Sequence, residues 1–274
     1  MSKLPYAALL IFLFLAHILG DYYFQPNRLA AAKGKKRGAL LLHCLLYGAA
    51  YCIVLFPVFS FPAVLWFLLL PLSHAAIDYA KQGLTASGRP LSAERLIKPE
   101  HEKGAVEKLN LWIFIVDQAL HLLLIALGAW LMARSNILTT SYLGYRLFMR
   151  FIFGGLGIGP RQLMWLFTLL LFLGKPCMVI VQNALAPIRA FAAGDTAGGD
   201  SRGGRVIGVL ERILIAIFIL LGQWGALGFT LAAKTLTRYN KIVEDKAFGE
   251  QYLIGTLLSV TLTIIAVMAL KLLP

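Results

Sequence analysis

Three apolar runs of this 274-residue chain each carry a histidine and an aspartate four positions apart, and the order of the pair reverses between them. The first and third runs hold His17-x-x-x-Asp21 and His74-x-x-x-Asp78, and the fourth holds Asp117-x-x-x-His121. A spacing of four places each pair on one face of an α-helix. When successive helices alternate in direction, a reversed order returns the same side chain to the same depth. The three aspartates then form one layer and the three histidines a second layer one turn deeper. Ionisable groups inside apolar helices are costly enough to imply function by default, so the pattern predicts helices packed with these faces together.

Composition identifies the medium. Hydrophobic residues make up 59% of the chain and charged residues 14%, and the mean hydropathy is +0.76. That is more apolar than a soluble domain of this length requires. The predicted fold class is all-α, a polytopic transmembrane helical bundle. Seven spans are predicted, at 5–24, 39–59, 61–82, 109–133, 161–182, 206–233 and 251–273, each near the ~20 residues a bilayer demands. An eighth, short or re-entrant crossing at 142–159 stays open. The first run is too long, and its basic head too weak, for a cleaved signal peptide, so it reads as a retained helix. Three regions follow: 1–133, a four-helix membrane region carrying the His/Asp pattern; 134–160, a connecting or re-entrant segment; and 161–274, a three-helix membrane region.

A net charge of +13 invites a nucleic-acid reading. The basic residues, however, sit in short segments between apolar runs, where lipid headgroups and topology are the better explanation. Arg28, Lys33, Lys35, Lys36 and Arg37, together with the segment Lys81 to Lys108, belong on the cytoplasmic side, which puts the N-terminus outside. Cys44, Cys52 and Cys177 form no close pair and predict no disulfide framework. His101, within a run of charged residues, reads as a solvated loop residue.

With cytoplasmic helix ends near Gln25, Ala39, Gln82 and Leu109, the helical rise puts Asp21, His43 and Asp78 roughly 6 Å deep. His17, His74 and Asp117 lie roughly 12 Å deep, and His121 deeper still. Four of the five histidines and three of the six aspartates thus converge on one zone. Imidazole combined with carboxylate is a ligand set for a divalent metal, zinc first, with iron or manganese also accommodated. The predicted ligands are His17, Asp21, His43, His74, Asp78, Asp117 and His121. This is more than one tetrahedral ion uses. The surplus serves a second metal, orients histidines, or supplies a general base, with Asp21 and Asp117 as the candidate catalytic carboxylates. Gln25 and Lys81 stand at the edge as candidate substrate contacts. The bland alternative is interhelical hydrogen bonding, or a proton relay without metal.

The second half has its own polar residues. Glu211 and Arg212 lie inside an apolar run, Lys234 and Arg238 at the end of it, and Lys175 is a candidate partner for Glu211. Two readings stand: interfacial ion pairs, or a basic pocket in which Glu211, Arg212, Lys234 and Arg238 contact a phosphate or carboxylate headgroup. Gly194 to Gly204 is a polar, glycine-rich loop without the features of a phosphate-binding fingerprint.

The residues His17-x-x-Gly20-Asp21-x-x-x-Gln25, Leu42-His43, His74-x-x-x-Asp78-x-x-Lys81 and Asp117-Gln118-x-x-His121 resemble the N-terminal signature of a family of bacterial integral membrane proteins known only as a domain of unknown function. The resemblance covers the first four apolar runs. It implies a bacterial inner-membrane location and a shared site, and it names no reaction. Function on this reading is a metal-dependent hydrolase acting on a lipid or lipid-linked substrate near the cytoplasmic face. The alternatives are a proton- or divalent-cation-coupled transporter, or a membrane subunit that recruits partners. Membrane lipids are the expected partners, and nucleic acid is not.

Overall fold

The computed structural model describes residues 6–34, 36–56, 64–87, 100–135, 160–191 and 202–272. Among them regular structure is helical throughout. Helix α1 (Tyr6–Ile18) runs into a π-helical turn, Leu19–Tyr23, and is followed by α2 (Asn27–Lys33), α3 (Arg37–Leu55), α4 (Val64–Ser87) and α5 (Glu100–Arg134). The later elements are α6 (Pro160–Leu173), α7 (Lys175–Phe191), α8 (Arg202–Leu220), α9 (Trp224–Leu236), α10 (Tyr239–Glu244) and α11 (Lys246–Leu272).

Among the described residues, five helical stretches are long and apolar enough to cross a membrane: Tyr6–Tyr23, Arg37–Leu55, Gly104–Arg134, Gln162–Ala190 and Lys246–Ala269. Each overlaps one of the seven expected spans. The expected span at 61–82 falls partly outside the described residues, and its described part belongs to α4. The expected run 206–233 is two helices. Gly222, at φ 72°, ends α8, with Gly222 N donating to Ile219 O (3.2 Å) and Gln223 N to Phe218 O (2.8 Å). This pair of bonds closes a helix end around a residue in the left-handed region, which glycine adopts without steric cost. The possible crossing at 142–159 lies outside the described residues.

Other boundaries also shift. The loop expected between the first two spans contains α2, which starts directly after Pro26; proline's fixed φ and missing N–H suit it to helix starts. Helix α5 begins at Glu100, so His101 is helical and not in a loop. Gly203 and Gly204 belong to α8, and the rest of the glycine-rich stretch 194–201 lies outside the described residues.

The chain divides into two compact units, one of Met1–Ala93 with Ile115–Thr168 and the other of Glu94–Phe114 with Leu169–Pro274. In the first unit, α3 buries Leu40, His43, Tyr47, Ala50, Tyr51 and Val54 at helical spacing while exposing Leu41, Leu45 and Ile53. Helix α5 likewise buries Asp117, His121, Ile125 and Ala129 and exposes Val116, Leu120, Leu123 and Leu127. A water-soluble bundle would hide the leucines and show the histidines. Polar faces turned inward and leucines outward is the arrangement that a hydrocarbon solvent favours. In the second unit, Leu169, Leu173, Cys177, Ile215, Ala216, Ile219, Val260 and Val267 form an apolar core. All three cysteines are free.

Candidate metal centre

Asp21 reaches the site from the π-helical turn that closes α1. Single turns of π-helix recur at functional sites because the extra residue re-aims side chains. Beside it, Gly20 lets α1 approach α3 closely: a Cβ at this position would stand 2.5 Å from Tyr47 Cδ2 and 3.2 Å from Tyr47 Cα. That close approach carries Asp21 to His43, which faces inward on α3.

Four atoms then gather. His43 Nε2 lies 3.2 Å from Asp21 Oδ1, 3.0 Å from Asp78 Oδ2 and 3.2 Å from His74 Nε2. His74 Nε2 lies 3.5 Å from Asp21 Oδ1 and 3.6 Å from Asp78 Oδ2. Ligand atoms on a tetrahedron with bonds of 2.0–2.2 Å stand about 3.3–3.6 Å apart. Two of these five separations lie in that range and three fall a little below it, so each carboxylate stands with the two imidazoles at spacings close to those of three ligands on one ion. Of the four side chains of this cage, His43, His74 and Asp78 are buried and Asp21 is partly buried, its side chain 9% exposed.

The remaining predicted ligands surround this cage. His17 with Asp21 and His74, and His121 with Asp78 and Asp117, complete two further groups whose ligand atoms lie within 4.8 Å of one another. His121 was expected deepest, yet its ring lies 4.4 Å from that of His74 and 5.4 Å from that of His17. His121 Nδ1 donates to the Asp117 backbone carbonyl at 2.8 Å, which leaves Nε2 as a lone pair, buried without a hydrogen-bond partner. A backbone carbonyl fixing one ring nitrogen so that the other can ligate is the usual support of a metal-binding histidine. His43 Nδ1 and His74 Nδ1 are buried without hydrogen-bond partners, so that kind of support does not orient them. His74 is instead held by its face, with the Tyr47 ring stacked on it at 3.5 Å and 6°. Tyr47 Oη donates to Tyr51 Oη at 3.1 Å and stands 3.2 Å from His17 Nδ1.

Two lysines close the site. Lys33, the last residue of α2, donates to Asp78 Oδ2 at 2.9 Å, and its backbone carbonyl accepts from Gln82 Nε2 at 2.9 Å. Burial pulls the Lys33 ammonium toward the neutral form, but Asp21 and Asp78 outweigh it and raise its pKa above the ordinary lysine value. Lys81 donates to Asp117 Oδ2 at 2.8 Å, where Gln118 Nε2 also donates at 3.2 Å. Tyr22 Oη donates to Gln118 Oε1 at 2.8 Å, which ties the π-turn to α5. Gln25, expected at the edge, is buried.

Lys33 and Tyr47 were not among the residues expected in the site. The sequence does signal Tyr47, since His43, Tyr47 and Tyr51 recur every four residues on one helix face. It gives no sign of Lys33, which is one basic residue among five in its segment.

The polar residues of the second unit engage one another and the backbone. Glu211 takes its ion pair from Lys234 Nζ at 2.6 Å, not from Lys175 as expected, and Lys234 also donates to Thr256 Oγ1 at 3.2 Å. Arg212 Nε donates to Leu173 O at 2.6 Å, Nη2 to Gly174 O at 3.4 Å and Nη1 to Ser259 Oγ at 3.3 Å. Arg212 thereby satisfies the Leu173 carbonyl where the chain breaks between α6 and α7 and adds a second donor to Gly174 O, which also accepts from Met178 N at 3.3 Å. Arg238 is exposed.

Five apolar spans and a buried layer of imidazoles and carboxylates define a multi-pass helical membrane protein whose His/Asp cluster has the composition and spacing to hold a metal ion. The chain belongs to the family described as Protein of unknown function (DUF3307), which matches residues 9–146. That match contains every member of the cluster. No curated protein and no solved structure matches the chain.

Proposed function

We propose that the first unit is an intramembrane divalent-metal centre, with zinc as the preferred ion, held by Asp21, His43, His74 and Asp78. The observation that carries this reading is the spacing of each carboxylate with the two imidazoles, at 3.0–3.6 Å, in a site where unpaired ionisable groups would otherwise be costly. Iron or manganese would use the same donors with further ligands from His17, Asp117 or His121.

The finer reading is a metal-dependent hydrolase acting on a lipid or lipid-linked substrate near the cytoplasmic face of a bacterial inner membrane. A bound ion would supply Lewis acidity and a water activated near neutral pH. Asp117 suits the role of base: Oδ2 is held by Lys81 and Gln118, while Oδ1 is buried without a hydrogen-bond partner. The basic segment carrying Lys33 supports a cytoplasmic position for this end. On the same reading the apolar runs 61–82 and 206–233 also lie in the membrane, for seven hydrophobic segments in all.

The test is the metal content of detergent-purified protein and of His74→Ala, measured by elemental mass spectrometry. Stoichiometric metal lost in the variant is the expected result. A wild type that stays empty after metal is added back, or a variant that retains full metal, removes the reading. The Lys33–Asp78 and Lys81–Asp117 pairs favour one competitor, a proton- or cation-coupled carrier, because a lysine bonded to a carboxylate can exchange a proton or yield to a cation. Cation uptake into sealed proteoliposomes that Asp78→Asn abolishes would move the conclusion there.

A further inference from the structure

Access to the cluster leads past its lysines. The side chains of His17, Asp21, His43, His74, Asp78, Asp117 and His121 are each 9% exposed or less, whereas Lys33 and Lys81 are 18% and 32% exposed. A molecule entering the site from outside therefore meets two ammonium groups first.

Lys33 is fixed there from both ends, with its carbonyl on Gln82 and its ammonium on Asp78, both partners coming from α4. Asp78 Oδ2, the atom it contacts, is also the cage corner 3.0 Å from His43 Nε2. Lys33 Nζ also stands 3.2 Å from His43 Nε2, so the ammonium touches two of the proposed ligands, and an ion bound to both would repel it and turn it toward a new acceptor. Formal charge leads to the same place. Asp21, Asp78 and Asp117 carry one more charge than Lys33 and Lys81 neutralise, and a divalent ion turns this deficit into an excess of one positive charge. A buried positive excess is costly unless an anion accompanies it.

The shape of the anion follows from the number of donors. Asp78 and Asp117, which hold the two lysines, have ligand atoms within 4.8 Å of each other, so the carboxylates that carry the two ammonium groups adjoin one another beside the proposed ion. A carboxylate offers two oxygens to these three partners, while a phosphate offers three or more. We infer that the metal-loaded centre binds a phosphate or phosphate monoester, one oxygen facing the ion and the others accepting from Lys33 and Lys81. This rests on the metal reading above and gives it a substrate class. Lys33 is then a substrate-binding residue.

The experiment uses the full chain loaded with Co²⁺, whose visible absorption reports a change at the ion. One arm titrates orthophosphate into detergent-solubilised protein. The other compares nanodiscs of phosphatidylcholine with nanodiscs that also contain phosphatidic acid. The expected result is a spectral change with phosphate in at least one arm. Lys33→Gln should retain Co²⁺ and weaken that response at least about tenfold, the lower end of what losing a hydrogen bond from a charged donor produces. Lys33→Arg should keep most of it. A response confined to phosphatidic acid identifies a lipid headgroup as the source, and a response to orthophosphate identifies a phosphate that enters from water. No response in either arm with the wild type overturns the inference even if Lys33→Gln does not fold. So does a Lys33→Gln response equal to wild type, and in both cases the metal reading stands. Failure of the wild type to take up Co²⁺ sinks the metal reading and this inference with it.

Discussion

The Tyr47 ring lies 3.5 Å from the His74 imidazole and within 6° of parallel, so a phenol on α3 fixes the plane of a candidate ligand on α4. Stacking does here what a hydrogen bond to the rear nitrogen does in most metal-binding histidines. Tyr47→Phe keeps the ring and removes the contacts to His17 and Tyr51, leaving buried polar atoms without their partner at a cost of about 1–3 kcal/mol. The variant should unfold at lower temperature and still carry its full metal. Tyr47→Ala removes the ring and leaves a cavity, costing about 3–5 kcal/mol, and its metal affinity should fall as well. Elemental analysis and thermal unfolding in detergent separate the two effects. If Tyr47→Ala binds metal as tightly as Tyr47→Phe, the ring does not position His74.

Gly20 tests whether the approach of α1 to α3 builds the site. Its missing Cβ would stand 2.5 Å from Tyr47 Cδ2 and 3.2 Å from the Tyr47 Cα, and the backbone contact cannot be relieved by rotating a side chain. Gly20→Ala should destabilise the protein by about 1–3 kcal/mol and weaken metal binding by shifting Asp21 away from His43. Gly34→Ala and Gly38→Ala are the controls, since no heavy atom beyond their own surroundings lies within 4 Å of a Cβ at either position. Equal metal affinity in Gly20→Ala and the controls would show that Asp21 tolerates the displacement.

Arg212 should matter for stability and not for the metal. Replacing it with Met strands the carbonyl of Leu173 and removes the donor to Ser259 Oγ, while the Gly174 carbonyl keeps its bond from Met178 N at 3.3 Å. The expected loss is about 1–3 kcal/mol for each buried polar group left unsatisfied. Lys at this position should rescue little, because a single ammonium cannot reproduce the guanidinium fork. Metal content per folded molecule should match wild type in both variants. A drop in metal without loss of stability would reassign Arg212 to the centre.

The gathering of His17, Asp21, His74, Asp78, Asp117 and His121 was legible in the sequence because it needs only the helical period and alternating chain direction. His43 was legible as a polar residue at the right depth on an apolar run. The break at Gly222 was overlooked, since hydropathy continues across it and a glycine inside an apolar run looks the same whether it ends a helix or packs against one. The π-turn at Leu19–Tyr23 and the close approach at Gly20 depend on the Tyr47 ring opposite, and no local pattern encodes that. Lys33 was illegible for a related reason. Charge alone assigns lysines between spans to the membrane surface, and only the folding back of α2 onto Gln82 and Asp78 distinguishes this one from Lys36.

Asp78 and Asp117 separate one ion from two. Asp78 belongs to the four-atom cage and also to the group it forms with Asp117 and His121, whereas His121 belongs only to the second. Asp78→Asn should therefore remove all bound metal, and His74→Ala should empty the cage. His121→Ala should leave the ion in the cage untouched. Should wild type carry two ions, His121→Ala should carry one, and the same holds for Asp117→Asn. Stoichiometry by elemental mass spectrometry at matched protein concentration reads this directly. If wild type carries one ion and His121→Ala loses it as His74→Ala does, the ion sits between α4 and α5 and not within the cage of Asp21, His43, His74 and Asp78. In that case Asp21 and His43 would be its supports, and their alanine variants should weaken binding without abolishing it.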